Sequence, residues 1–301
     1  MPKKADFTIE EFKKTNFYKN STFDKNLMFP NNRDWNFICR HYDNWLSIND
    51  NTAEVKIPHL IHQLWVGSPL PDKYKDWCKS WQDLNPGWKY ILWTNDNLSE
   101  LFTEEEMEWF QNSKNFGPKS DLFRYTALYK FGGIYCDTDF ECVKNFDFLT
   151  RNCTFISANQ VPNDLDIGSA LVASTKNHIL MKIIHDELLK VDIKNLKEID
   201  ILNVTGPGFL TDTIMKNKDL LLPTDVILPA KYLYPFPNSH RKKRYSPSKI
   251  KRKYCTDVSY ALHYWEMSWA TRNLIKDFWI YFKVFVKKII FFEKWRKYIK
   301  K

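Results

Sequence analysis

Asp137 and Asp139 are the residues of this 301-residue chain whose types and spacing most directly indicate chemistry. They end the segment 131–139, which reads Phe-Gly-Gly-Ile-Tyr-Cys-Asp-Thr-Asp. Two carboxylates this close cannot both stay ionised in a confined site unless a cation neutralises them. Their oxygen atoms suit Mg²⁺ or Mn²⁺, cations that also bind the phosphates of a nucleotide. The pair therefore predicts a divalent-metal site, although Asp-x-Asp alone is a weak signal.

The residues before the two aspartates predict how they are positioned. Gly132 and Gly133 can end a helix, because glycine tolerates the left-handed backbone that a helix C-terminus often needs. Residues 134–136 (Ile-Tyr-Cys) then read as a short buried strand. The carboxylates should leave the sheet at a strand end, which is where open α/β sheets bind ligands.

A largely apolar helix is predicted immediately upstream, with Ser120 as its N-cap. Asp121 and Arg124 lie three residues apart and are neighbours on one helix face. They could form an ordinary intrahelical ion pair. Because the helix leads directly into the acidic strand, we interpret the pair as lining a pocket.

A parallel βαβ unit is predicted further upstream. An apolar strand within 57–67 is followed by helical spacing over about 72–84 and by a second strand at 88–93. Trp65 stands at the end of the first strand, where an indole could stack on a nucleobase. Its alternative role is to fill the core, since the chain contains 12 tryptophans.

Four of these segments together resemble glycosyltransferase family 32, the enzymes with a DXD-containing sugar-binding region. They are IPHLIHQLW at 57–65, LWTND at 92–96, SDLFRY at 120–125 and GGIYCDTD at 132–139. The resemblance implies an α/β fold of the GT-A type, with a single Rossmann-like mixed sheet flanked by helices. It also implies a nucleotide-sugar donor, bound Mn²⁺ or Mg²⁺ and retention of the anomeric configuration.

The resemblance also assigns roles to individual residues. Trp65 would stack on the base and Tyr135 would pack beside the nucleotide. Asp121 and Arg124 would hold the hydroxyl groups of the donor sugar. Asp137 would contact the ribose and the metal's shell, and Asp139 would bind the metal.

The second half of the chain carries weaker signals of the same family. Ser169 falls near the expected position of the reacting carbon, where many members have Asn or Asp, and the nearby acids here are Asp166 and Asp164. A Thr-Gly-Pro turn at 205–207 should open a helix. The family's closing motif makes His263 a candidate metal or diphosphate ligand and Trp269 a candidate lid over the leaving group.

The predicted activity is transfer of a hexose or N-acetylhexosamine from a UDP- or GDP-sugar, with UDP favoured, to a glycan or lipid-linked acceptor, as in surface polysaccharide synthesis. One alternative is a haloacid-dehalogenase-type phosphatase, whose nucleophile also lies in Asp-x-Asp. That class needs Thr or Val where Glu141 stands here. The other alternative is a polyanion- or nucleic-acid-binding protein, although we expect no nucleic-acid partner.

Charge and cysteine content suggest where the chain works. The net charge is +9, yet residues 241–253 hold eight cations and no acid, and 272–301 hold ten cations and two acids. Aromatic residues and lysines recur with helical spacing over 271–301, which predicts an interfacial helix on an anionic membrane. The alternative is that this helix docks on its own domain. The run at 241–253 is open to three interpretations: a solvated loop, a contact with lipid phosphates, or a mobile flap near the diphosphate.

We divide the chain into a lead-in at 1–55, a transferase domain at 56–270 and a membrane-interface helix at 271–301. No apolar leader follows the charged N-terminus, and the cysteines lack C-x-x-C spacing. We therefore expect reduced thiols and a cytoplasmic protein, peripheral at the inner face of the membrane. The cysteines are Cys39, Cys78, Cys136, Cys142, Cys153 and Cys255.

Overall fold

The computed structural model describes residues 7–21, 32–47, 54–161, 164–243, 245–266 and 268–269. Its strands are β1 Leu60–Leu64, β2 Lys89–Trp93, β3 Gly133–Cys136, β4 Phe140–Cys142, β5 Phe155–Ala158, β6 Leu171–Ser174, β7 Asp225–Leu228 and β8 Ala261–His263. Its α-helices are α1 Ile9–Lys14, α2 Asn16–Lys19, α3 Asn32–Ser47, α4 Asp72–Leu84, α5 Glu104–Asn112, α6 Phe116–Phe131, α7 Asp147–Asn152, α8 Ile179–Leu189, α9 Ile201–Val204, α10 Pro207–Lys216, α11 Ala230–Leu233 and α12 Pro247–Tyr254. Short 3₁₀ helices lie at Leu98–Glu100, Ile193–Asn195, Glu198–Asp200, Lys218–Leu220 and Asn238–Lys243.

A six-stranded mixed sheet in the described part of the chain has the order β2-β1-β3-β6-β5-β7. The strands β1, β2 and β3 run parallel, β5 and β7 run parallel, and β6 lies antiparallel between β3 and β5. The strands β3, β5, β6 and β7 are buried along their whole length. Helices accompany the sheet, so the predicted α/β class with a mixed sheet is confirmed.

The predicted βαβ unit is present, with β1 and β2 in parallel register around α4. The helix has the predicted bounds of Asp72 and Leu84, because Pro71 directly precedes it and its buried residues follow one face. The first strand is shorter than the predicted 57–67 at both ends, because β1 spans Leu60–Leu64, and β2 begins at Lys89, one residue later than predicted.

Glycine ends α6 as predicted. Gly132 has φ +68° and Gly133 has φ +100°, and a Cβ on either would lie 2.6 Å from a backbone atom, of Lys176 and Leu60 respectively. The prediction that Ser120 caps this helix is wrong. The cap is Asn115, whose side chain accepts a hydrogen bond from the Gly117 N–H, and Ser120 lies one turn inside the helix, where its hydroxyl donates to the Phe116 carbonyl.

The expectation of a single sheet needs a correction that concerns the candidate site. The strands β4 and β8 form a separate two-stranded antiparallel sheet, in which Phe140 pairs with His263. Residues 137–139 connect β3 of the large sheet to β4 of the small one. The two aspartates therefore lie where the two sheets meet.

The N-terminal helices pack on the body of the protein. α3 lies along β7, and its buried Trp35, Tyr42 and Trp45 belong to the hydrophobic core. The Tyr42 hydroxyl lies 2.8 Å from the Tyr232 hydroxyl. The lead-in therefore shares one core with the body of the protein.

All six cysteines are free thiols, as expected, and five of them are buried. Among the described residues, no helix combines the length and the apolar character needed to cross a bilayer. The predicted membrane-interface helix at 271–301 lies outside the described residues.

Candidate active site

Asp139 is held by three groups from the far end of the chain. Its Oδ1 lies 3.2 Å from His263 Nε2, its Oδ2 accepts the Glu266 N–H at 2.8 Å, and its carbonyl accepts the Tyr264 N–H at 3.0 Å. Trp265, between these donors, has φ +59°, a backbone region that non-glycine residues rarely adopt. Its indole donates to the Phe236 carbonyl at 2.7 Å, which anchors the turn.

Asp137 is partly exposed and is held from the opposite side. Arg124 Nη2 donates to its Oδ1 at 3.0 Å, and the Tyr135 hydroxyl donates to the same oxygen. The guanidinium lies 4.7 Å above the Tyr135 ring, a cation–π contact. The Tyr135 hydroxyl therefore helps to hold the Asp137 carboxylate in place.

Asp121 completes a buried charge network. Its Oδ1 accepts from Arg124 Nη1 and its Oδ2 accepts from the Thr205 hydroxyl at 2.7 Å. Asp121 and Arg124 are each 4% exposed, and Thr205 is fully buried. One guanidinium thus ties the α6 carboxylate to the carboxylate after β3, and a threonine 84 residues later fixes the remaining oxygen.

The electrostatics of the site follow from this burial. Burial raises the pKa of Asp121 to about 7, although Arg124 and the Thr205 hydroxyl both lower it. Burial also raises the pKa of Asp137, against the attraction of Arg124. Burial alone would raise the pKa of Asp139, but His263 and the Glu266 N–H outweigh this effect, so the pKa is lowered. The site therefore favours an ionised Asp139 and resists a second bare charge on Asp137.

Asp137, Asp139 and His263 are suited to hold a divalent cation. Their candidate ligand atoms all lie within 4.8 Å of one another. His263 Nδ1 is buried and has no hydrogen-bond partner among the described residues, so the ring has unused donor or acceptor capacity. Two carboxylates and one imidazole form a ligand set that Mn²⁺ accepts. The residues present therefore fit the metal that the sequence implied.

One large cavity, of about 1120 Å³, brings together every site residue expected from the sequence. Cavities of this order hold ligands larger than a typical drug molecule. The expected residues that line it are Trp65, Asp121, Arg124, Tyr135, Asp137, Asp139, Asp166, Ser169, His263 and Trp269.

Trp65 and Trp269 lie at different parts of this cavity wall. Trp65 is half-buried, with its ring 4.9 Å from that of Tyr74. The Trp269 carbonyl accepts a hydrogen bond from Asn115 Nδ2 at 3.1 Å, and its indole lies beside Gly117 at the start of α6. Both indoles are thus available to a ligand in the cavity from separate elements.

Three candidates for the position near the reacting carbon line the same cavity: Asp164, Asp166 and Ser169. Ser169 is buried, whereas the two acids are partly exposed. Gln160 Nε2 donates to Asp166 Oδ2 at 3.2 Å. Because all three line the same cavity, each remains a candidate for the group near the reacting carbon.

Two features of the site have little or no signal in the sequence. The Thr-Gly-Pro turn was predicted only to open a helix, and it does so at α10, but Thr205 also holds Asp121. The Glu266 N–H that holds Asp139 is a backbone group, which residue types cannot indicate. The partners are 84 and 127 residues apart along the chain, so only the fold brings them together.

Comparisons with known proteins agree with this site. Residues 71–156 match the glycosyltransferase sugar-binding region containing the DXD motif. The chain is 32% identical over 197 residues to inositol phosphoceramide mannosyltransferase 1 of Schizosaccharomyces pombe, a match covering 61% of this chain and 59% of that protein. It is 31% identical over 168 residues to mannosyl phosphorylinositol ceramide synthase SUR1 of Saccharomyces cerevisiae, covering 52% and 41%.

The match spans about half the length of these curated relatives. Among solved structures, the chain resembles the PaToxG glycosyltransferase with a TM-score of 0.47 and 18% identity, over 62% of this chain and 80% of that one. The phosphatase and polyanion-binding alternatives gain no support from these matches. The DXD region and the sequence relatives agree with the carboxylate site: the chain carries a glycosyltransferase sugar-binding region and is similar to glycosyltransferases of the family 32 type.

Proposed function

We propose that this glycosyltransferase is metal-dependent and moves a hexose or N-acetylhexosamine from a UDP- or GDP-sugar, with retention, to a glycan or lipid-linked acceptor. The observation that carries the proposal is the Asp137–Asp139–His263 cluster, which opens onto the same cavity as the buried Asp121–Arg124 pair. A metal bound at the cluster would hold the diphosphate of a nucleotide-sugar, and the charge pair beside it would bind the hydroxyl groups of the sugar.

The two carboxylates and His263 would hold the cation. A bound divalent cation would neutralise the negative charge that develops on the departing diphosphate. The imidazole ligand favours Mn²⁺ over Mg²⁺, since Mg²⁺ sites are built from oxygen atoms. The Glu266 N–H and Trp265 turn keep Asp139 oriented, so the ligand set is arranged before the donor enters.

The Asp121–Arg124 pair would orient the donor sugar. Asp121 accepts hydrogen bonds from sugar hydroxyls most strongly when ionised, and Arg124 keeps that charge compensated in a buried setting. Trp65 would stack on the base at the other end of the donor. Asp164, Asp166 and Ser169 are the groups that would face the anomeric carbon. Retention requires that both faces of the sugar ring be controlled at that carbon.

The relatives' names give a first choice of sugar and acceptor. Those of the two yeast proteins describe mannose transfer and an inositol-containing ceramide lipid. Mannose on a lipid acceptor is therefore the first combination to test, although the sequence favoured UDP and surface polysaccharide. The cationic, aromatic segment at 271–301 supports a peripheral position at the inner face of the membrane.

A donor screen tests the proposal. Purified full-length protein is incubated with Mn²⁺ and a panel of UDP- and GDP-sugars, and slow donor hydrolysis without acceptor is measured. One donor should be hydrolysed well above the others, and EDTA should abolish the reaction until Mn²⁺ is restored. Hydrolysis that is indifferent to EDTA and to the Asp139→Asn substitution would exclude the proposed metal dependence.

A further inference from the structure

The mouth of the cavity carries an unusual concentration of exposed apolar side chains. Eight large apolar side chains among the described residues are largely exposed, and three of them line this cavity: Phe116, Ile199 and Leu202. They are 48%, 38% and 42% exposed. A residue that both lines a cavity and is open to solvent lies at its mouth. We call these three residues the apolar rim; an apolar cluster of this kind is typical of a protein or membrane contact.

The basic segment at 241–253 adjoins the same cavity. Asn238 and Arg241, in the 3₁₀ helix Asn238–Lys243, line the cavity wall. The residues that follow include five exposed cations, which we call the basic patch: Lys242, Lys243, Lys249, Arg252 and Lys253. Arg241 at the cavity wall is thus followed along the chain by the cations of the basic patch, and the apolar rim lines the same cavity.

The basic patch belongs to an ordered part of the protein. Ile250 buries one side of α12, and the Tyr254 hydroxyl lies 2.9 Å from His240 Nδ1. Lys251 forms an ion pair with Glu141 of β4 at 2.6 Å. Of the three interpretations left open by the sequence, a solvated loop does not describe this segment, because its described residues lie largely in the helices Asn238–Lys243 and Pro247–Tyr254. The charges are presented on a short helix docked against the small sheet.

We infer that the apolar rim and the basic patch form a membrane-facing surface of the folded domain, which places the cavity mouth against an anionic lipid bilayer. Cations at such a surface are attracted by acidic head groups, and apolar side chains beside them enter the interfacial layer. The description of the chain also ends at the cavity, at Trp269. The 32 residues beyond it, rich in lysine and aromatic residues, therefore start from the same face.

This inference deepens the proposed function, because a surface of this kind would deliver the site to a lipid-borne acceptor. It differs from the predicted C-terminal helix in assigning an orienting role to residues of the transferase body. A tail alone would tether the domain in any orientation, whereas the rim and patch would fix the direction of the cavity.

The test is flotation of the full-length protein with phosphatidylcholine vesicles that contain or lack phosphatidylserine. The patch variant is Lys242→Gln, Lys249→Gln, Arg252→Gln and Lys253→Gln. Its matched control removes four exposed cations elsewhere: Lys13→Gln, Lys14→Gln, Lys19→Gln and Lys75→Gln. Since each cation near an anionic surface contributes to binding, the patch variant should bind at least about tenfold more weakly, and the control should stay within about twofold of the parent.

A second pair of variants tests the apolar rim. Phe116→Ser, Ile199→Ser and Leu202→Ser together should weaken binding that survives high salt, because salt screens the charges but not apolar insertion. The control replaces three exposed leucines away from the cavity: Leu46→Ser, Leu220→Ser and Leu222→Ser. Thermal melting of each variant shows that the fold is retained.

Three outcomes would overturn the inference. The patch variant and its control could bind vesicles equally, which would leave binding to the tail alone. The rim variant could match its control in high salt. Heparin binding could fall in the patch variant while vesicle binding does not, which would assign the patch to soluble polyanions. Donor hydrolysis is measured separately, so a failure of the proposed function would leave the vesicle result standing.

Discussion

The Thr205→Val substitution gives the most specific test of how the sugar end of the site is built. Thr205 is fully buried and its hydroxyl donates to Asp121 Oδ2 at 2.7 Å. Valine has nearly the same shape but lacks the donor, so the cavity keeps its walls and one carboxylate oxygen loses its partner. Thr205→Ser restores the hydroxyl and is the matched control.

The size of the effect follows from the charge on the acceptor. A hydrogen bond to a charged group contributes about 1.5–3 kcal/mol, and each 1.4 kcal/mol corresponds to about a tenfold change. If Asp121 orients the sugar, kcat/KM for donor hydrolysis should fall about ten- to a hundredfold in Thr205→Val. The affinity for free UDP or GDP should change by no more than about threefold.

The pH profile adds a measurement that a purely structural role of Thr205 would not move. Burial raises the pKa of Asp121 to about 7, and the Thr205 hydroxyl lowers it. Because the ionised carboxylate accepts the sugar hydroxyls, activity should fall as the pH drops below 7. In Thr205→Val this acidic limb should move to higher pH, and in Thr205→Ser it should return.

The reasoning about Thr205 would be refuted by a Thr205→Val enzyme that keeps kcat/KM within about twofold of the parent. It would also be refuted by equal losses of nucleotide affinity and of catalysis, since that pattern would place Asp121 in the phosphate or structural shell. Calorimetry with UDP and GDP, alongside donor hydrolysis, separates these results.

Three further predictions concern the base, the charge pair and acid stability. Trp65→Ala should lose about 1–3 kcal/mol of nucleotide affinity with the lost stack, measured by calorimetry; unchanged affinity would return Trp65 to a packing role. Asp121→Ala and Arg124→Ala should reduce hydrolysis while free nucleotide binding stays within a few-fold, and a loss of tens of fold in binding would contradict their assignment to the sugar. Burial lowers the pKa of His62 from 6.5 to about 4, so up to about 3 kcal/mol of stability that is present above pH 6.5 is lost progressively as the pH falls from 6.5 to about 4. Urea unfolding from pH 7 to 4 should show this loss in the parent and a shallower one in His62→Gln.

Local signals explain what could be predicted from the sequence. The bounds of α4, the glycine end of α6 and the Asp-x-Asp at the end of β3 all depend on residues within one turn or one strand of each other. The helix opening at Gly206-Pro207 is local in the same sense. For such features the residue types directly indicate the backbone conformation that is needed.

Long-range contacts explain what could not be predicted. The three-residue strands β4 and β8 are too short to show periodicity, yet they bring His263 to Asp139 across 124 residues. Ser120 was a reasonable cap by type, but Asn115 takes that role because α6 begins a turn earlier, with Pro118 in its first turn. The ordered position of the basic patch likewise depends on where α12 docks.

Replacement of Asp139 by asparagine is the measurement that tests the central claim most directly. Asp139→Asn removes one charge from the candidate metal site and keeps the shape and the Glu266 N–H partner. Mn²⁺-dependent donor hydrolysis is measured at saturating Mn²⁺ for the parent, Asp139→Asn and Asp137→Asn, with thermal melting as the control for folding. Because a metal at the diphosphate supplies several kcal/mol to the transition state, both folded variants should retain less than about a tenth of the parent's activity. Activity above that level in a folded Asp139→Asn protein would contradict the assignment of this cluster as the metal centre of a glycosyltransferase.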